Sequence, residues 1–299
     1  LGLRDRYFCI LVEPEAKDYQ GFIRKIAPNE FNAGIQQSAE ITLLPGQSTT
    51  QKFRIYLGPQ DLRIINQVKP AWSALIHYGT FNFISQILLQ LLEFFYRLVH
   101  NWGWAIVILS LAVYLLLYPL TVKQMRSMKE MQILQPQIEK LRQLYKDNPQ
   151  KLNKEIMALY HQHKVNPLGG CLPLLLQLPI FFALYQALMR FVALKGANFL
   201  WIKDLSEPDR LFLLPQSLPG IGNEINVLPI VMAIGMFIQQ KMSLTAASGS
   251  AAEQQKIMLF LFPLLFGFIF YRMPSGLVLY WFINSALMLV NQLRIGRVK

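Results

Sequence analysis

The chain has 299 residues, 53% of them hydrophobic and only 15% charged. A soluble domain carries about 25% charged residues, and a disordered chain is far less apolar, so both classes are excluded. The net charge of +12, from 29 Lys and Arg against 17 Asp and Glu, marks cytoplasmic loops between membrane spans rather than a nucleic-acid-binding surface. Two cysteines, Cys9 and Cys171, cannot make a disulfide framework. A leading Leu1 and the lack of a signal-peptide pattern give the expectation that the chain is part of a longer protein.

Two segments near the start read as strands. Residues 7–12 are a continuous apolar run. Residues 51–57 alternate, with Phe53, Ile55 and Leu57 on one face and Lys52, Arg54 and Tyr56 on the other. Pro45-Gly46 marks a turn between them. So few strands make a poor core, and residues 1–70 read as the end of a larger β domain. In residues 79–102 the polar side chains Asn82, Gln86, Gln90, Glu93, Arg97 and His100 recur every three or four positions among apolar ones. Such a helix lies in a membrane interface or packs on a soluble core, and the spans that follow directly favour the interface.

Residues 103–122 and 168–189 are 20 and 22 uncharged residues, enough to cross a bilayer. A third long uncharged stretch is 273–293. Residues 225–240 and 257–271, 16 and 15 long, form a short hairpin around the small and polar 242–255. Residues 123–166 hold nine Lys and Arg, whereas 195–226 hold three with four acids. Basic loops stay in the cytoplasm, so five spans put the β part outside and the basic C-terminus inside. Within 123–166 an apolar stripe (Met128, Met131, Leu134, Ile138, Leu141, Leu144), a cap at Asn148-Pro149 and a second stripe (Leu152, Ile156, Leu159) predict an antiparallel helical hairpin. Pro136 is placed to kink its first arm.

Along this order lie Asn166-Pro167-Leu168-Gly169-Gly170-Cys171, Gln177-Leu178-Pro179-Ile180-Phe181, Leu200-Trp201-Ile202-Lys203-Asp204-Leu205-Ser206, Gln254-Gln255-Lys256-Ile257-Met258 and Pro274-Ser275-Gly276-Leu277-Val278-Leu279-Tyr280-Trp281. The series resembles the bacterial YidC membrane protein insertase family over nearly the whole chain. The resemblance implies a mostly α membrane protein of the bacterial inner membrane. Residues 1–70 would be the C-terminal part of a periplasmic β-supersandwich domain and 79–102 the interfacial amphipathic helix. Residues 103–299 would be a five-transmembrane-helix insertase core with a cytoplasmic helical hairpin at 123–166. It further implies a non-enzymatic insertase and folding chaperone with a hydrophilic groove. Its partners would be nascent membrane proteins, the Sec translocon, the ribosome and signal-recognition targeting machinery, and membrane lipids.

The residues supply candidate groove positions. Ser110, Tyr114 and Tyr118 share a face of the first span, Gln177 and Tyr185 of the second, and Tyr280, Asn284 and Asn291 of the last. Intramembrane polar groups either face a wet cavity or join helices by hydrogen bonds. The resemblance favours the cavity and adds Phe181 and Trp281. The family carries an arginine four residues before the tyrosine of Tyr118-Pro119-Leu120, and this chain has Tyr114 there. Arg190 is the nearest basic residue on another span, placed to snorkel outward. Candidate contacts to a ribosome or targeting factor are Lys123, Arg126, Lys129, Lys140, Arg142, Lys146, Lys151, Lys154, Arg294, Arg297 and Lys299. Met125, Met128 and Met131 either bind apolar substrate or pack the hairpin. No cofactor, metal site or catalytic group is expected: His161 and His163 point to different faces of a helix, and Gly169-Gly170 lacks the context of a phosphate loop. The rival reading is a small secondary transporter, against which no repeat or ionisable coupling residue is found. A structural assembly factor without a wet cavity is a third.

Overall fold

The computed structural model describes residues 1–16, 18–28, 30–163, 165, 172–218, 222–243 and 250–297. The Asn166–Cys171 motif, Lys164 and Lys299 lie outside these residues. The chain forms two compact units, one of residues 1–77 with 190–192, the other of 78–189 with 193–299.

In the first unit, β1 (Gly2–Arg4), β2 (Phe8–Pro14) and β5 (Phe53–Pro59) form an antiparallel sheet in the order β1-β2-β5. Ile10 stands opposite Leu57 and Val12 opposite Ile55. Alternation sends Cys9, Leu11 and Tyr56 to one face, where they pack on Ile65 of α1 (Leu62–Val68) and on Trp72 and Ile76, in and after the 3₁₀ turn Pro70–Leu75. The more apolar face, with Phe8, Ile10, Phe53, Ile55 and Leu57, is exposed. Glu13 fastens the turn to the sheet, accepting from Lys69 Nζ at 2.6 and 2.7 Å and from Trp72 Nε1 at 2.8 Å. The hydrogen bond from Lys69 is the largest cause holding its carboxyl below the usual glutamate value. β3 (Tyr19–Ala27) and β4 (Glu30–Gln37) pair as a separate hairpin.

The second unit is helical. α2 (Asn82–Val99) has three faces. Ser85, Leu88, Leu89 and Leu92 are buried against α3 and α5, with Ser85 Oγ donating to the Ala183 carbonyl at 2.8 Å. Phe83, Ile87, Leu91, Phe94 and Leu98 form an exposed apolar stripe, and the polar stripe lies between. The helix therefore both packs on the helical core and offers an apolar surface outward.

α3 runs unbroken from Trp102 to Leu144, through Pro119 and Pro136, after an N-cap by Asn101. The sequence reading ended a span at residue 122 and began a hairpin at 123; the structure makes them one helix. Its 43 residues extend about 64 Å, twice a hydrocarbon core of about 30 Å. α4 (Pro149–Gln162) starts at the Asn148-Pro149 cap, Asn148 accepting from Lys151 N at 3.0 Å. It packs back on α3 through Leu134, Ile138, Val165, Met131, Ile156, Leu159 and Tyr160.

α5 (Leu172–Leu188), α6 (Val227–Ser243), α7 (Ser250–Phe270) and α8 (Ser275–Arg297) complete the unit. α8 packs on α3, α5 and α6, and α6 on α7. Among the described residues, α3 and α8 are long and apolar enough to cross a membrane; the apolar parts of α5, α6 and α7 are shorter. β6 (Phe212–Leu218) and β7 (Gly222–Ile225) pair in the loop before α6. That loop is tied down by polar bonds. Asp209 Oδ2 caps α6 by accepting from Val227 N and Leu228 N, both at 2.9 Å, and Asn226 Nδ2 donates to the Tyr271 carbonyl at 2.7 Å.

Candidate functional site: a polar seam with an aromatic wall

The sequence-predicted polar positions converge where α3, α5 and α8 meet. On α8, Tyr280 is fully buried. Its hydroxyl accepts from Gln177 Nε2 of α5 at 2.9 Å, and its carbonyl accepts from Asn284 Nδ2 at 2.9 Å. A half-buried amide thus pairs with a buried phenol, whose oxygen would otherwise be left unpaired in low-dielectric surroundings. Beside this pair stands an aromatic wall. The Phe181 ring lies 4.9 Å from Trp281, 5.6 Å from Phe270 and 6.4 Å from Tyr185. Phe266 and Phe270 of α7 also meet Trp281, at 5.6 and 5.4 Å.

On α3 the three predicted residues differ. Ser110 is fully buried, and its hydroxyl donates to the Ile106 carbonyl of its own helix at 2.8 Å. Tyr114 is buried and Tyr118 is 42% exposed, their rings 5.9 Å apart. The stripe thus emerges from the bundle as it nears the hairpin. Tyr114 lies beside Asn291 of α8, and Arg294 is close enough to act on it electrostatically. Asn291 Nδ2 is buried without a hydrogen-bond partner among the described residues. The spacing of Tyr280, Asn284, Asn291 and Arg294 by four, seven and three keeps them on one face of α8. Arg190, expected on the second span, falls in the turn after α5 ends at Leu188 and donates to the His77 carbonyl.

Of the basic candidates, Lys123, Arg126, Lys140, Lys146, Lys151, Lys154 and Arg294 are exposed, and Lys129 and Arg142 are half-buried. Lys151 Nζ sits 4.9 Å over the Tyr145 ring. Met131 packs between the hairpin arms, which is the packing role of the two considered. Three residues take a place that the sequence did not assign to them. Phe266 and Phe270 were hidden in a stretch noticed only for its length. Arg294 was assigned to a basic tail, although its spacing from Asn291 was readable.

Residues 94–299 match the model of the "60Kd inner membrane protein" family, and residues 1–91 that of the "YidC periplasmic domain". A protein of Pelobacter propionicus named membrane protein insertase YidC is 42% identical over 302 residues, covering 99% of this chain and 54% of that protein. Proteins of the same name from Geobacter metallireducens and Cupriavidus pinatubonensis are 40% and 38% identical, over 99% and 100% of this chain and 52% and 51% of theirs. The chain thus spans about half the length of the curated relatives it matches. Among solved structures, that of an active YidC insertase with its first transmembrane domain resolved aligns with a TM-score of 0.56 at 26% identity, covering 98% of this chain and 61% of that one. The chain belongs to the 60Kd inner membrane protein family, the family of the YidC insertases.

Proposed function

We propose that this chain carries the insertase core of its protein, which helps nascent proteins enter the bacterial inner membrane. The observation that carries the reading is the Gln177–Tyr280–Asn284 network beside the Phe181–Trp281–Phe270 wall, set inside helices that are otherwise apolar. A polar segment entering hydrocarbon loses its water partners, and this loss is the main barrier to insertion. Groups that hydrogen-bond each other at rest can exchange those bonds for an incoming backbone or side chain. The aromatic wall offers the apolar flank of the same segment a surface to pack on. With α3, α5, α6, α7 and α8 as five spans, the positive-inside rule places the α3–α4 hairpin and Arg294 in the cytoplasm and the β unit in the periplasm. There the hairpin's exposed lysines are available to a ribosome or targeting factor, and the Sec translocon is the expected partner in the membrane. Tyr114, at the position where the resemblance expects arginine, has Arg294 of α8 as its nearby positive charge.

The test uses the full-length protein reconstituted alone into vesicles, with a single-span membrane protein synthesised in its presence. Protease-protected, correctly oriented substrate should rise well above that of empty vesicles. Tyr280→Phe combined with Gln177→Leu should lower the yield while the protein stays folded. Equal yields with and without the protein would overturn the reading.

A further inference from the structure

We infer that the turn Phe199–Ile202, with the first turn of α3, is a lipid anchor that seats the outer end of the helical unit in the membrane interface. The turn is closed by two backbone bonds, Phe199 N to the Ile202 carbonyl at 2.9 Å and Ile202 N to the Phe199 carbonyl at 2.8 Å. Leu200 at its tip has a φ of +52° and is 72% exposed. Polar residues and glycine suit such a position and apolar ones do not, so an exposed leucine held there calls for an apolar environment.

Trp201 beside it is 41% exposed. Its Nε1 donates to Asp209 Oδ2 at 3.2 Å, so the ring can enter an apolar layer without stranding its donor. The same carboxylate oxygen caps α6, so the level of the turn is transmitted to the start of that helix.

The occupant is lipid rather than a protein partner on two grounds. The patch is continuous with the exposed apolar stripe of α3: Phe199 stacks edge-on against Trp104 at 5.5 Å, and Trp104, 53% exposed, shares a helix face with Leu111 and Leu115. The exposed Lys195 and Lys203 flank the turn, the arrangement that pairs aromatic and aliphatic groups below a phosphate layer with amines in it.

The inference rests on α3 spanning the bilayer, and the test separates the two. In full-length protein carrying Cys9→Ala and Cys171→Ser, single-cysteine labels are placed at Leu200→Cys, Leu115→Cys and, as an exposed control in the β unit, Ile23→Cys. Each bears an environment-sensitive dye and is read in vesicles whose phospholipids, in both leaflets, are spin-labelled either near the headgroup or near the chain end. Leu115 lies about 16 Å further along α3 than Trp104. The Leu200 label should be quenched about twofold more by the shallow spin label than by the deep one, and little by aqueous iodide. The Leu115 label should show the reverse lipid preference. Iodide quenching at Leu200 equal to that at Ile23, with no effect of lipid labels, would overturn the anchor, leaving α3 intact if Leu115 behaves as expected. Protection of Leu200 from both lipid labels and iodide would also overturn it, in favour of a protein neighbour. Failure at Leu115 would remove the spanning helix and the anchor together.

Discussion

At the scale of single residues, close approach and polar satisfaction decide most. Gly103 sits in the first turn of α3 against Phe199, and a Cβ there would overlap the phenyl ring. Ala is favoured over Gly in a helix by about 1 kcal/mol, but overpacking costs about 1–3 kcal/mol. Gly103→Ala should therefore lower the thermal midpoint in detergent, and Phe199→Leu should restore part of it. Glu13 predicts a pH effect. A carboxyl depressed in the folded state stabilises above its unfolded value and loses that contribution as pH falls through the folded one. The reference is 4.5, and the Lys69 hydrogen bond lowers it. Unfolding of the β unit followed against pH should show a loss of stability below about pH 4.5 that Glu13→Gln lacks. The residue scale was also where reading from sequence was least secure. Spacing put Ser110, Tyr114 and Tyr118 on one face, yet Ser110 is used up by its own helix. Arg294 comes within electrostatic reach of Tyr114 through the packing of α8 on α3, which spacing within either helix does not reveal.

Among elements, strong local signals were legible. The Asn148-Pro149 start of α4, the apolar stripes of the hairpin and the polar stripe of α2 all lie where the pattern puts them. The β3–β4 hairpin was missed because both of its faces are largely exposed, leaving no buried face to impress a period of two on the sequence. The continuity of α3 was missed because the change from apolar to basic residues near Lys123 looks like a boundary. Charge alone does not stop a helix, and no glycine or cap interrupts it there. Among the described residues the apolar stretches of α6 and α7, Val227–Met242 and Leu259–Phe270, are 16 and 12 residues long, about 24 and 18 Å at 1.5 Å per residue. With α6 and α7 as spans of about 30 Å of hydrocarbon, as proposed, the mismatch would be met by local thinning or by snorkelling of residues at their ends such as Lys241 and Arg272. Lengthening both helices by one turn of leucine should reduce insertion of a small single-span substrate if thinning shortens the substrate's path. Unchanged insertion would leave snorkelling as the whole explanation. On the hairpin, replacing Lys140, Lys146, Lys151 and Lys154 by glutamine should weaken ribosome binding. The salt dependence should become shallower by about 0.7 for each RNA phosphate that is no longer neutralised. Unchanged binding would reduce these lysines to topological markers.

For the whole molecule, the chain joins a β unit to a helical unit, and the helical unit holds the long apolar helices that the composition led one to expect. What composition could not convey is that the polar groups of the membrane helices are collected into one seam with a continuous aromatic flank. The proposed function requires that seam to receive the substrate. The most direct measurement places a photo-crosslinking amino acid at Phe181, Trp281, Tyr118 and the exposed Leu116 in the full-length protein, with a ribosome-stalled membrane protein as substrate. Crosslinks to the nascent chain should form at Phe181, Trp281 and Tyr118 and be several-fold weaker at Leu116, because burial of an apolar flank favours the aromatic wall. Equal yields at all four positions, or capture only at Leu116, would contradict passage through the seam.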